Sequence, residues 1–170
     1  MEFATTESQT MIAQAVRDLC ERELRPNLMD WDESQHFPKD LFRNHFGPAG
    51  MLGVLVPEEY GGAGLGYFEY ISTIVEVAKI CGSVGLSVAA HNSLCTGHIL
   101  YFANDEQKRR WLPKLATGEW IGAWALTEPN TGSDAMRMKC TARKEGSEWV
   151  LNGTKCWITH GISSDAVVVI

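Results

Sequence analysis

No Asp, Glu, Lys or Arg occurs between Lys79 and Asp105, so that stretch does not read as an ordinary solvated surface helix. A membrane span needs about 20 strongly apolar residues. Here Gly82, Ser83, Gly85, Ser87, His91, Asn92, Ser93, Thr96, Gly97 and His98 interrupt the run. The remaining solution is a helix buried on all sides inside a bundle, and such a helix needs helical neighbours.

Those neighbours are legible. Thr6-Glu7-Ser8-Gln9 has capping-box spacing, and behind it Met11/Ala15/Leu19 and Ile12/Val16/Cys20 form two adjacent apolar rows. Arg17, Asp18 and Glu21 face outward, and the helix ends near Pro26. A short helix is expected over Asn27–Glu33, and another from Pro38 carrying Leu41, Phe42, His45 and Phe46. Met51–Pro57 then leads into Glu58-Glu59-Tyr60-Gly61-Gly62-Ala63-Gly64-Leu65-Gly66. This is neither GxGxxG nor a Walker loop. It reads as backbone that only glycine tolerates, or as a loop that touches a ligand. Longer helices follow over Tyr67–Ile80 and Val84–Ala103, and Asn104-Asp105-Glu106-Gln107 caps a last one running to Pro113.

After Gly118 the pattern changes to strands: Trp120–Leu126, Met138–Arg143, Glu148–Leu151, Thr154–Ile158 and Ala166–Ile170. Asn152-Gly153 suits a two-residue hairpin turn. The fold class is therefore α+β by segments, an N-terminal all-α helical bundle over residues 1–118 and the beginning of an antiparallel β domain over 119–170. Ending on the apolar strand Ala166–Ile170 would leave an exposed edge, so the sheet is expected to be truncated.

Lys+Arg total 15 against 21 Asp+Glu, a net charge of -6, which argues against nucleic acid or an anionic membrane as partner. Cys20, Cys81, Cys95, Cys140 and Cys156 contain no CxxC, so no zinc or other metal site is expected and the thiols read as free. Met1–Glu7 lacks the basic start and apolar run of a secretory signal. The cytoplasm is the expected compartment, with a mitochondrial matrix as the alternative.

Two segments carry chemistry. Trp124-Ala125-Leu126-Thr127-Glu128-Pro129-Asn130-Thr131-Gly132-Ser133-Asp134 runs from a strand into a loop whose Gly132 and Ser133 amides can form an anion-binding concavity. With the Thr127 and Ser133 hydroxyls, this suits a flat heterocycle bearing a phosphate tail, or it is a plain strand-to-turn junction. Lys155-Cys156-Trp157-Ile158-Thr159-His160-Gly161 would, as a strand, put Trp157 and Thr159 on one face. That pair could flank a flavin, or the indole could be a core side chain.

Together these segments resemble the acyl-CoA dehydrogenase family. The matching residues are Leu126-Thr127-Glu128-Pro129, Gly132-Ser133-Asp134 and Trp157-Ile158-Thr159, in order and spacing. Val56–Gly64, His91-Asn92-Ser93-Leu94 and Asp105–Trp120 are also similar, so the resemblance covers essentially the whole chain. It implies an FAD-dependent α,β-desaturation of an acyl-CoA thioester, with hydride passing from the β carbon to flavin N5. It further implies that Trp124, Leu126, Thr127, Gly132, Ser133, Trp157, Ile158 and Thr159 touch FAD, and that Ser133 also lies beside the thioester. The helix around Leu94–Ile99 would line the acyl chain, and Glu128 would be structural rather than the base. Electron-transfer flavoprotein is the implied acceptor, and the full-length form is implied to be a homo-oligomer.

His160 departs from the resemblance, standing where many members have Asn, and a polar neighbour of the site is the expected role. Asn130-Thr131 replaces smaller residues often seen before the Gly-Ser pair. Members continue into a second helical bundle that supplies the catalytic glutamate, so no catalytic residue is assigned here and the isolated chain is expected to be inactive. The competing expectations are a non-catalytic helical scaffold pairing through Ala166–Ile170, or an acyl-CoA oxidase or flavin monooxygenase of the same fold.

Overall fold

The computed structural model describes residues 4–170; Met1–Phe3, where the signal-peptide reading begins, lie outside the described residues. Helix α1 (Glu7–Glu23) starts at the expected capping box, the Thr6 hydroxyl accepting from the Gln9 amide and the Gln9 side chain accepting from the Thr6 amide. Of its two expected apolar rows, Ile12/Val16/Cys20 is core and the other reaches the core only at Leu19. Val16 and Cys20 are buried and Ile12 packs beside them, whereas Met11 is 66% exposed. The reason is that α1 packs chiefly on one partner, α4 (Tyr67–Ile80), so a single stripe suffices. Arg17 is not purely outward either: it pairs at 2.9 Å with Glu76 of α4, which also bonds Lys79 and is itself buried.

Helix α2 spans Leu28–Glu33, and α3 (Lys39–Leu41) continues as a wide turn over Phe42–Phe46 that drives Leu41, Phe42 and Phe46 into the core. The glycine-rich segment then folds back on its own approach. The amides of Ala63, Gly64 and Leu65 donate to the carbonyls of Gly53, Val56 and Val54, each at 2.9 Å. Gly61 and Gly64 occupy positive φ, at 79° and 61°. Gly62 is required for closeness, because a Cβ there would lie 2.1 Å from the Val56 carbonyl oxygen.

The uncharged stretch is not one uniform helix. It forms α5 (Gly82–Ala89), a π-helical turn over Ala90–Thr96 and α6 (Gly97–Phe102). The π turn inserts one residue's worth of rotation, and His91, Asn92, Cys95 and Thr96 all end up buried. Asn92 fixes it by donating to the carbonyls of Met51 and Val88. Burial on all sides does not hold even for this middle, where Ser93 is exposed, and Leu86, Tyr101 and Phe102 are exposed on the flanking helices. Helix α7 (Asp105–Ala116) begins at the Asn104/Gln107 capping box and, contrary to expectation, passes through Pro113 to Ala116. Proline fits helical φ and costs one amide bond, which the packing of Leu112 and Leu115 offsets. No helix among the described residues is long and apolar enough to cross a membrane.

Gly118, at φ 77°, turns the chain out of α7 toward β1 (Gly122–Ala125). Strand β1 pairs in parallel with β4 (Ala166–Val169), from Gly122↔Ala166 to Ala125↔Val169. Among the strands of the described residues, the antiparallel pair is the hairpin β2 (Thr141–Glu145) and β3 (Glu148–Asn152). The hairpin turn is Gly146-Ser147, between paired Glu145 and Glu148, and not Asn152-Gly153. Gly146 supplies the positive φ, at 63°, while Gly153 serves close approach, since a Cβ there would lie 2.8 Å from Cys140 Cα. Thr154–Ile158 is not a strand, because Trp157 sits at φ 58° and breaks the extension. Met138–Cys140 is not strand either: the Lys139 and Cys140 amides bond a carboxylate instead of a neighbouring strand.

Gly62→Ala should lower the free energy of unfolding by about 2 kcal/mol through overpacking against the Val56 carbonyl, read from urea melts.

Candidate functional site

Strand β1 positions the site. Ala123 and Ala125 are buried, and Trp124 between them points to the other face, its indole 5.5 Å from the His98 ring. The Trp124 Nε1–H is buried without a partner. Beyond β1, Leu126 and Thr127 are half-buried and their carbonyls are both taken by the second segment. Lys155 Nζ donates to the Leu126 carbonyl at 2.9 Å, and the Cys156 amide donates to the Thr127 carbonyl at 2.9 Å. The two segments, some thirty positions apart in the chain, therefore lie side by side.

Glu128 joins them. Its carboxylate is 7% exposed and accepts from the Lys139 amide (2.7 Å), the Cys140 amide (2.8 Å) and Lys155 Nζ (2.9 Å). The Lys139 amide, then Lys155 and the Cys140 amide, hold its pKa down at about 2, against the desolvation that would raise it. Such a carboxylate stays ionised and saturated, so it is an anchor and not a proton acceptor. The role of Lys155 is not legible in the sequence, because its carboxylate partner is 27 positions away.

Past the anchor, Glu128 and Thr131 exchange two amide bonds (3.0 and 3.1 Å) across a tight turn, and the Thr131 hydroxyl donates to the Arg137 carbonyl. This turn presents Gly132 and Ser133 at the surface, where a Cβ on Gly132 would meet no chain atom within 4 Å. Trp157 is 92% exposed, so it is not a core tryptophan, and Ile158 and Thr159 are half-buried. Strand alternation is not what orients Trp157 and Thr159; two left-handed residues, Trp157 and His160 (φ 63°), bracket them. His160 is buried, donates from Nδ1 to the Gly122 carbonyl at 2.9 Å and packs 4.9 Å from the Phe37 ring. All five cysteines are free thiols, with Cys20 and Cys95 buried.

Residues 6–119 match the model of the acyl-CoA dehydrogenase N-terminal domain, and residues 123–170 that of the acyl-CoA dehydrogenase middle domain. The chain belongs to the acyl-CoA dehydrogenase family, a family of oxidoreductases. It is 43% identical over 165 residues to the mitochondrial isovaleryl-CoA dehydrogenase of Bos taurus, covering 96% of this chain and 38% of that protein. Glutaryl-CoA dehydrogenase of Mycobacterium smegmatis, solved in complex with FADH2, superposes with a TM-score of 0.92 at 37% identity over 97% of this chain and 42% of that one. A chain from a study of the electron transferring flavoprotein of Acidaminococcus fermentans superposes with a TM-score of 0.95 at 37% identity, covering 99% of this chain and 44% of that one. The chain thus spans about two fifths of the length of these relatives.

Because Glu128 is held below its ordinary range, it stabilises the fold fully above about pH 4.5, and that contribution is lost as pH falls toward about 2. Glu128→Gln should lower the melting temperature at pH 7 and flatten the acid limb of stability between those values, read by circular dichroism.

Proposed function

We propose that this chain is the flavin-cradling part of an FAD-dependent acyl-CoA dehydrogenase that desaturates an acyl-CoA thioester between its α and β carbons. The observation that carries this reading is the pairing of the Thr127 carbonyl with the Cys156 amide, which sets both flavin-type segments against each other. When bound, FAD supplies a hydride acceptor for the substrate β carbon. The chain's own residues fit such a ring. The Trp124 N–H is an orphaned donor, and the hydroxyls of Thr127, Ser133 and Thr159 make no side-chain hydrogen bond among the described residues. The exposed Trp157 indole offers a face for packing.

In this reading Trp124, Leu126 and Thr127 line the ring edge, with the Thr127 and Thr159 hydroxyls donating to it and favouring negative charge there. Trp157 and Ile158 flank it. Gly132 and Ser133 take the diphosphate, where a side chain at position 132 would stand in the way, and Ser133 also lies beside the thioester. Glu128 is too firmly held to remove the α proton, so this reading assigns no residue of the chain as the base and expects no turnover from the 170 residues alone. An electron-transfer flavoprotein is the proposed acceptor, supported by likeness to the Acidaminococcus chain, and the complete protein is proposed to be a homo-oligomer.

FAD titrated into the purified chain should quench its fluorescence saturably, while acyl-CoAs of several lengths with an artificial electron acceptor should give no desaturation. Gly132→Ala should leave stability within about 0.5 kcal/mol, because its methyl meets no chain atom within 4 Å, yet weaken FAD binding about tenfold. Absence of FAD binding, or a Gly132→Ala variant with unchanged affinity, would count against this site.

A further inference from the structure

Gly122, the first residue of β1, is held on both sides by buried imidazoles. Its amide donates to His91 Nδ1 at 3.0 Å, and its carbonyl accepts from His160 Nδ1 at 2.9 Å. The two rings must therefore be opposite tautomers. His91 accepts at Nδ1 and carries its proton on Nε2, which donates to the Leu115 carbonyl at 3.1 Å. His160 carries its proton on Nδ1, its Nε2 is buried with no partner, and its ring packs beside those of Phe37 and Phe42. His91 comes from the π turn, His160 from the loop after Trp157-Ile158-Thr159, and Leu115 from the end of α7. One glycine thus ties three elements to the strand that runs on into Trp124, Leu126 and Thr127.

We infer that His91 and His160 form a two-sided clamp on Gly122 that positions the strand bearing the flavin-facing residues Trp124 to Thr127. The flavin part of this role rests on the reading given above; the clamp itself does not. Each ring works only when neutral. A proton on His91 Nδ1 would set a donor against the Gly122 amide, and a proton on His160 Nε2 would bury a charge without a partner. Burial keeps both neutral, holding His91 down at about 4 and lowering His160. The titratable groups around them do not oppose this. Cys95 is a buried thiol pushed up to about 11, Asp165 is taken up by the Ile121 amide, Lys39 and Arg43, and Lys114 on α7 pairs with Glu119. Because His91 is lowered, its share of stability is complete above about pH 6.5 and declines as pH falls toward about 4.

Asparagine places a neutral oxygen or NH2 group where imidazole Nδ1 stands, and it tolerates the left-handed backbone of position 160. His91→Asn and His160→Asn therefore keep the clamp without a titrating ring, whereas His91→Leu and His160→Gly remove it, glycine doing so without backbone strain. Amide hydrogen exchange, measured with and without FAD, should show residues 122–127 opening about tenfold faster in His91→Leu and His160→Gly, with 7–89 unchanged, and within about threefold of the parent in the Asn variants. FAD affinity should follow the same order, and the His91→Asn variant should lose about one proton's worth of pH dependence between 6.5 and 4. Unchanged exchange at 122–127 in the two clamp-less variants, or faster exchange spread evenly over the whole chain, would overturn the clamp. Faster exchange at 122–127 with no FAD binding by the parent would leave the clamp standing and remove the flavin reading instead.

Discussion

The β part of this protein depends on one carboxylate. Glu128 is buried at the end of β1, and its two oxygens take two backbone amides and one ammonium group. A buried carboxylate left unpaired would be strongly destabilising, so the chain around it has little freedom. Residues 139 and 140 must run past it with their amides pointing in, and Lys155 must reach it as well. Lys155 then has a second donor to spend on the Leu126 carbonyl, and the neighbouring Cys156 amide meets Thr127. Two distant segments are brought together by the solvation demands of a single charge.

The helical part does the complementary work of holding β1 still. Ala123 and Ala125 bury small side chains, and Gly122 lies so near Cys95 that a Cβ would fall 2.6 Å from its sulfur. Side-chain hydrogen bonds to backbone supply direction where the packing of small residues does not. His91 and His160 meet Gly122, and Asp165 accepts from the Ile121 amide while pairing with Lys39 and Arg43 beside α3. The seam between the helical and sheet parts is therefore polar and directional, although both hydrophobic clusters reach it through Ile121 and Trp120.

Much of the helical layer was legible because its signals are local. Capping boxes at Thr6 and Asn104, and the boundaries of Tyr67–Ile80, follow from neighbours within four positions. The failures share a cause. Asn152-Gly153 suits a hairpin turn on local grounds, yet no hairpin forms there because Thr154–Ile158, the strand it would lead into, is broken by the left-handed Trp157. The π turn at Ala90–Thr96 leaves no mark on hydrophobic periodicity, since almost every residue there is uncharged. For the same reason His91 reads in the sequence as one more polar interruption.

The amino-acid order by itself determined that helices on either side of a glycine-rich break dominate residues 6–116, that a short sheet region follows, and that the residue types for gripping a flat, phosphate-tailed ligand occur in two segments. Periodicity and capping act over a few residues, so they can be read from the chain. Only the tertiary structure decided that β1 pairs in parallel with β4, that Trp157 turns outward at a left-handed residue, and that Lys155, Glu128, His91 and His160 are the groups holding the site together. These outcomes follow from the need to satisfy buried charges and amides across separations of more than ten residues, and no local pattern encodes which partner will be there.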